Sequence, residues 1–429
     1  MTAILEILMP ILLTVFLIAL IYKLDYFKNK SISANFLIVA FLLKCISSIY
    51  FGYLFSYNII NGGDTFSYVK NADIIFQSSK TSWWHYFLLV FGRNDFSNPA
   101  PQLLSYINNM DFWYDQSNYF MVRLNAIIRL FSFGIYNVHA IVFAFISFIG
   151  VYNLYLFFEE KVFNKNILKI ILFGIPSIVF WTSGVHKEAI VIYSLGTILL
   201  NFERLMQNSL SKKYLLYVII GLLMLGFIRF YVLAFLIPLA LSIIVFNTFN
   251  LHKNTYKVYF ISSFIIIALF AIFNLIFPEY NILNEISIRR THFLELQGNT
   301  SFSVVKDFNH FSGFIALILD SIINPFVHPF PNESSFILVI LASIETYLIL
   351  FVIVALLLSV NYKNIKNNPY ALFCILFSLS LFFLIGLIVN NSGAIVRYRS
   401  IAIPFLLIGL CLTFSKNKES ISTQSQFNL

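Results

Sequence analysis

The chain has 429 residues, of which 59% are hydrophobic and 11% charged, and a net charge of +9 from 28 basic and 19 acidic side chains. A soluble domain carries roughly 25% charged residues, so an ordinary water-soluble enzyme, a disordered tail protein and a small disulfide scaffold are excluded. The mean hydropathy of +0.83 and an aromatic content of 18% point to an all-α, polytopic integral membrane protein. In such a protein net charge has to be read as a distribution across a bilayer.

Apolar runs that can cross about 30 Å of hydrocarbon need about 20 residues. They fall near 3–22, 34–57, 138–158, 170–183, 188–202, 214–228, 231–248, 258–278, 336–360, 370–389 and 400–414. These predict a transmembrane helix bundle of about 11 spans, forming one integral membrane domain over 1–429. Pro176 with Thr182-Ser183-Gly184 breaks the pair at 170–202, and Arg229 breaks the pair at 214–248. Both pairs are expected as tight helical hairpins with their breaks at a membrane face, because a charge is costly at the centre of a lipid-facing span. The first run has no basic stretch before it and no A-x-A pattern after it, so it is expected as a retained span and not a cleaved signal. Cys45, Cys374 and Cys411 all fall inside predicted spans, which leaves no disulfide or metal framework. No nucleotide-binding motif and no convincing internal repeat is present, and no nucleic-acid partner is expected.

Short links at 23–33, 159–169, 203–213, 250–257 and 361–369, with the tail at 415–429, hold fifteen Lys and Arg. By the positive-inside rule this face is cytoplasmic. The other face holds the long loops 58–137 and 279–335 and the short turns 184–188, 229–230 and 390–399, with twelve Lys and Arg. The N-terminus is therefore expected outside and the C-terminus inside. Eight of the nine arginines lie on the outer face (Arg93, Arg123, Arg129, Arg229, Arg289, Arg290, Arg397 and Arg399), while fourteen of nineteen lysines lie inside. Guanidinium makes bidentate bonds to phosphate and carboxylate, and ammonium acts as a compact hydrated charge. The bias therefore fits recognition of an anionic ligand outside. The plainer alternative is that these arginines cap helices or pair with outer acids. Seven of eight aspartates are also outside. In the first long loop, 65–79 and 118–133 have apolar residues at helical spacing, and Trp83-Trp84-His85-Tyr86-Phe87 is strongly aromatic. These predict interfacial helices in the headgroup plane, in contact with membrane lipid.

Three stretches carry candidate chemistry. In Gly62-Gly63-Asp64-Thr65-Phe66-Ser67-Tyr68, Asp64 sits at the start of a helix with Tyr68 one turn on along the same face. It can serve as a general base, hold a divalent ion, or act as a helix cap. In Trp181-Thr182-Ser183-Gly184-Val185-His186-Lys187-Glu188, a polar turn places Lys187 and Glu188 at a helix start, where Glu188 also suits the dipole. In Arg397-Tyr398-Arg399, followed by Pro404, two guanidiniums can clamp a pyrophosphate or an acidic sugar, or hold the bundle together by pairing with outer acids. Arg229-Phe230-Tyr231 is a further member of this group. The Asn324–Pro331 stretch with His328 reads as a rigid lid or scaffold. Arg289, Arg290, His292 and Glu295 read as an interfacial helix with a headgroup contact. Lys44 and Glu345 lie within spans, where each needs a partner or a wet cavity; mutual pairing is one option.

The Asp64–Tyr68 setting resembles the first outer loop of GT-C class integral membrane glycosyltransferases. The W-T-S-G-x-x-K-E and R-Y-R-x-x-x-x-P segments are similar to those of bacterial surface-polysaccharide glycosyltransferases and polymerases. The chain departs from the GT-C pattern in an extra span before the loop, the absence of a paired acidic motif and the absence of a soluble C-terminal domain. The resemblance implies a multi-pass protein of the bacterial cytoplasmic membrane that transfers sugar from a polyprenyl-phosphate-linked donor at the outer leaflet. Asp64 would activate the acceptor, and Tyr68, Lys187, Glu188, Arg229, Arg397 and Arg399 would bind substrate. No resident cofactor is implied, with a divalent metal as an alternative. A surface-polysaccharide polymerase and a non-catalytic flippase or transporter of lipid-linked sugar are the other readings.

Overall fold

The structure is a computed structural model that describes residues 2–56, 63–92, 99–207, 211–249, 255–276, 282–295, 300–303, 311–360 and 368–414. Among these residues the chain is nearly all helical, with one isolated antiparallel bridge between Ser301 and Asn391 and no strand. Among the described residues, eight helices are long and apolar enough to cross a membrane: Ile4–Lys23, Ala34–Ser56, Tyr136–Phe158, Lys187–Gln207, Lys212–Phe246, Ile337–Ser359, Pro369–Ile388 and Ser392–Leu412. The all-α, multi-pass character expected from composition therefore holds. The chain divides into two compact units, Met1–Phe157 with Leu172–Leu233, and Phe158–Ile171 with Ala234–Leu429.

In the first unit α1 (Thr2–Lys23) and α2 (Ala34–Ser56) precede a group of shorter helices. These are α3 (Thr65–Ser78), α4 (Trp83–Phe91), α5 (Leu104–Ile107) and α6 (Gln116–Ser132). The long α7 (Tyr136–Phe158) follows, and after α8 (Lys165–Lys169), which belongs to the second unit, come α9 (Pro176–Trp181), α10 (Lys187–Gln207) and α11 (Lys212–Phe249), whose residues from Ala234 also belong to the second unit. The run at 170–183, expected as one crossing, is a π-helical turn over Ile170–Gly174 followed by the six-residue α9. Pro176 has no N–H to continue the upstream helix but suits the first turn of a new one. The two runs at 214–228 and 231–248 are halves of α11, and only Arg229 leaves helical geometry, at φ −145° and ψ 70°.

α3, α4 and α6 pack on one another through matched polar and aromatic contacts. Arg129 Nε bonds Asp73 Oδ1 at 2.7 Å, with its guanidinium over the Phe76 ring. The buried amide of Asn71 holds the 111–112 backbone, accepting from Asp111 N at 2.8 Å. The phenols of Tyr86 and Tyr119 donate across the group to Ala126 O and Leu89 O, and burial pushes both above the ordinary phenol range. On α4 this leaves Trp83, Trp84, Phe87 and Phe91 exposed while Tyr86, Leu89 and Val90 face inward. Further along, α7 and α10 cross at glycines: a Cβ on Gly196 would overlap the Gly150 carbonyl, and one on Gly150 would overlap the Tyr193 backbone. Small residues permit such close approach where helices meet in lipid.

The second unit contains α12 (Thr255–Ile276), α13 (Ile282–Glu295), α14 (Phe311–Val327), α15 (Ile337–Ser359), α16 (Pro369–Ile388) and α17 (Ser392–Leu412). α16 and α17 pack as a hairpin, and Gly386 lets α16 lie directly against the α14 backbone at Ser321. Arg290 on α13 is buried and donates to Leu387 O. The expected headgroup contact of this arginine is thus a helix-docking bond. Burial lowers its guanidinium from the ordinary range, with the Asp320 carboxylate opposing the shift.

Candidate functional site

Asp64 occupies the residue before α3, where the sequence allows a cap or a catalytic acid. Its side chain makes no cap hydrogen bond. It is half-buried, and the Tyr68 phenol one turn on lies 3.4 Å from Oδ2. Tyr68 is fully buried and donates at 2.7 Å to Asn118 Oδ1. A phenol has one proton, and the shorter contact takes it, so Asp64 is only weakly bonded to Tyr68. Asn118 is itself oriented by Asp115, which accepts from Asn118 Nδ2 at 2.8 Å and caps α6 through Asn118 N at 3.0 Å. The loop therefore fixes a phenol beside Asp64, and among the described residues the carboxylate's hydrogen-bond contact is this long one. That is the arrangement a proton acceptor needs.

The same helix α6 docks on the bend of α11. Ser117 Oγ donates to Ile228 O at 2.9 Å, and Phe120 stacks on Phe227 at 5.2 Å. Ser117 thus bonds the α11 backbone at the residue just before the bend. The next residue, Arg229, is 8% exposed and donates from Nη2 to Glu188 Oε1 at 2.9 Å. Glu188 lies in the first turn of α10 with 0% exposure, where the helix dipole favours an acid. His186 Nδ1 is 3.7 Å from the other carboxylate oxygen, and its ring packs edge-on against Phe51 at 4.4 Å. Lys187, the first residue of α10, is also buried. The first unit thus brings together Asp64 with Tyr68 and Glu188 with Arg229, and α6 links the two pairs through the neighbouring residues Ser117 and Asn118.

Arg397 and Arg399 belong to the second unit. Two positions apart on a helix means about 200° around its axis, and the two arginines differ accordingly. Arg399 is 3% exposed; Nη1 donates to His328 O at 2.7 Å and to Pro325 O at 3.1 Å, and Nη2 bonds the Thr346 hydroxyl. It fixes the 325–328 backbone beside a small recess also lined by Phe326, Thr346, Phe382 and Ile403. Arg397 is half-buried with its guanidinium 5.5 Å from the Tyr398 ring centroid. His328, read from sequence as part of a lid or scaffold, stacks on Phe302 at 3.9 Å and bonds Glu333, which also accepts from Ser392 at the start of α17. Glu333 and Ser392 have no local motif to mark them, since they meet only through the tertiary fold.

Lys44 and Glu345 each find their own surroundings. Lys44 meets the hydroxyls of Ser147, Thr182 and Ser183, and the Glu345 carboxylate acts on Arg399. Among the described residues no group of three or more His, Cys, Asp or Glu side chains is placed to hold a metal ion. No family model, curated protein or solved structure matches the chain.

Proposed function

We propose that the protein is an integral membrane glycosyltransferase that moves a sugar from a polyprenyl-phosphate-linked donor at the outer leaflet, in the assembly of a cell-surface polysaccharide or glycoconjugate. The observation that carries the reading is Asp64: a half-buried carboxylate at a helix start that does not cap its helix and has a fixed phenol at its side. The partition of arginine to the outer segments supports it, as does the resemblance of the three motif stretches. In the proposed reaction Asp64 takes the proton of the acceptor hydroxyl as its oxygen attacks the anomeric carbon. The bond from that carbon to the phosphate oxygen breaks, and the phosphate leaves with the electron pair. Lys187 and Arg229 supply positive charge in an apolar setting, where a fixed cation stabilises a developing anion more than it would in water. Glu188 holds Arg229 in place. Arg397 is assigned a contact with a phosphate or acidic sugar, and Arg399 the fixing of the loop it binds.

The finer topology belongs to the same proposal. It comprises an odd number of crossings of a bacterial cytoplasmic membrane, the N-terminus outside, the C-terminus cytoplasmic, and α3, α4 and α6 lying in the outer interface. The exposed aromatic face of α4 supports that last placement, since Trp favours the headgroup boundary and Phe suits the apolar face of an interfacial helix. A carrier of lipid-linked sugar is the second reading, and the buried Glu188–Arg229 pair at a helix break favours it, because titratable groups at such breaks mark ion and substrate paths. Purified protein in liposomes with a labelled polyprenyl-phosphate sugar separates the two. New glycosidic product supports the transferase, with one added sugar for a transferase and a ladder for a polymerase. Movement of label across the bilayer without a new bond overturns it.

A further inference from the structure

The short lysine-rich links hold one arginine, Arg204, and the reaction proposed above does not use it. It is half-buried in the last turn of α10. A basic side chain there ordinarily bonds the last helix carbonyls or a nearby acid. Among the described residues Arg204 has neither partner, and what surrounds it is phenolic. Its guanidinium carbon is 5.7 Å from the ring centroid of Tyr214 at the start of α11, and its charge acts on the Tyr26 phenol in the 24–33 link. Tyr193 and Tyr217 act on the same phenol. The link, α10 and the start of α11 therefore converge at Arg204. Tyr26 is itself held in place, donating to Asn153 on α7, whose amide donates to Thr197 on α10 at 3.2 Å. Lys213 and Tyr217, four positions apart, share one face of α11 with Tyr214 beside them. Among the described residues the Lys213 ammonium and the phenols of Tyr214 and Tyr217 have no hydrogen-bond partner either.

We propose that Arg204, Lys213, Tyr214 and Tyr217 bind the phosphate of an anionic phospholipid. Aromatic faces stabilise a guanidinium but leave its N–H edges unbonded. The fork of those edges pairs with two oxygens of one phosphate, and an ammonium and phenol donors suit the others. The acid of the nearby link, Asp25, is already paired with Lys28 at 2.7 Å, so the cluster keeps its positive charge for a ligand. Leu215, Leu216 and Ile219, next along α11, are exposed. They offer acyl chains an apolar surface beside the phosphate donors, which favours a lipid over a soluble anion. Basic groups at the ends of membrane helices recognise anionic headgroups in this way. The inference does not depend on the glycosyl-transfer reading.

The test is lipid-dependent thermal unfolding of the full-length protein in detergent. Dioleoylphosphatidylglycerol is expected to raise the midpoint of the native chain more than dioleoylphosphatidylcholine, whose head carries a balancing ammonium. Arg204→Gln should lose most of that difference. Lys30→Gln, which removes an exposed lysine of the same link, should keep it. No difference in the native chain, or full retention in Arg204→Gln, overturns the proposal. An equal loss in Lys30→Gln also overturns it, because diffuse surface charge then accounts for the effect. Inorganic phosphate that reproduces the rise overturns the lipid assignment. If Arg204→Gln yields no folded protein, Lys213→Gln combined with Tyr214→Leu decides. Loss of the lipid difference in that variant supports the site, and its retention refutes it.

Discussion

Replacing Arg229 by Met leaves the Glu188 carboxylate buried without its guanidinium, and the consequence for stability is large. Glu188 has 0% exposure, Arg229 has 8%, and the two are joined by one bond of 2.9 Å. Removing one partner of such a pair costs about 3–5 kcal/mol, because the remaining charge stays desolvated. Removing both charges with residues of similar volume is close to neutral by the same reasoning. Arg229→Met and Glu188→Gln should therefore each destabilise strongly, while the double variant should be far more stable than the sum of the two implies. Contacting residues show interaction energies of about 0.5–3 kcal/mol in such cycles, and this pair belongs at the top of that range. Unfolding in mixed micelles, followed by tryptophan fluorescence, measures all four proteins. Additive effects, or single substitutions that each cost under about 1 kcal/mol, would refute the buried ion pair as a coupled unit.

Asp115 caps α6 and Asp64 caps nothing. Asp115→Ala should thus cost about 1 kcal/mol, and Asp64→Asn should stay within about 0.5 kcal/mol of the native chain; equal losses in thermal unfolding would contradict the assignment. Gly196→Ala forces α7 and α10 apart and should cost about 1–3 kcal/mol. Gly226→Ala, whose Cβ would meet its nearest neighbour at 3.5 Å, should be neutral or stabilising by up to about 1 kcal/mol; midpoints in the opposite order would overturn the close crossing. Arg399→Lys keeps the charge but not the fork that holds Pro325, His328 and Thr346. Each lost charge-assisted bond is worth about 1.5–3 kcal/mol, so the variant should unfold at lower temperature, and an unchanged midpoint would contradict the loop-fixing role.

The helical character and the multi-pass pattern were legible as apolar runs, though not the number of long helices, and the helices of the first loop were legible as apolar residues at helical spacing. The spacing of four between Asp64 and Tyr68 placed them side by side, as they are found. Breaks were harder to read. A tight turn and a bend at one residue have the same composition, and α11 bends at Arg229 where a hairpin turn was expected. Partners were hardest. Arg397 and Arg399 look alike as a motif, but the helix axis turns one onto backbone carbonyls and leaves the other half-buried. Lys44 could be recognised as a buried charge in need of partners, yet its three hydroxyls come from α7 and the turn after α9. Asn118, which holds Tyr68, is a polar residue in a helix with no signal of its own.

Reconstituted protein supplied with a polyprenyl-phosphate-linked sugar and an acceptor, native against Asp64→Asn, tests the central claim most directly. The account predicts a new glycosidic product from the native chain and its loss in Asp64→Asn, with folding and membrane insertion intact. Product formation by Asp64→Asn at the native rate would contradict it.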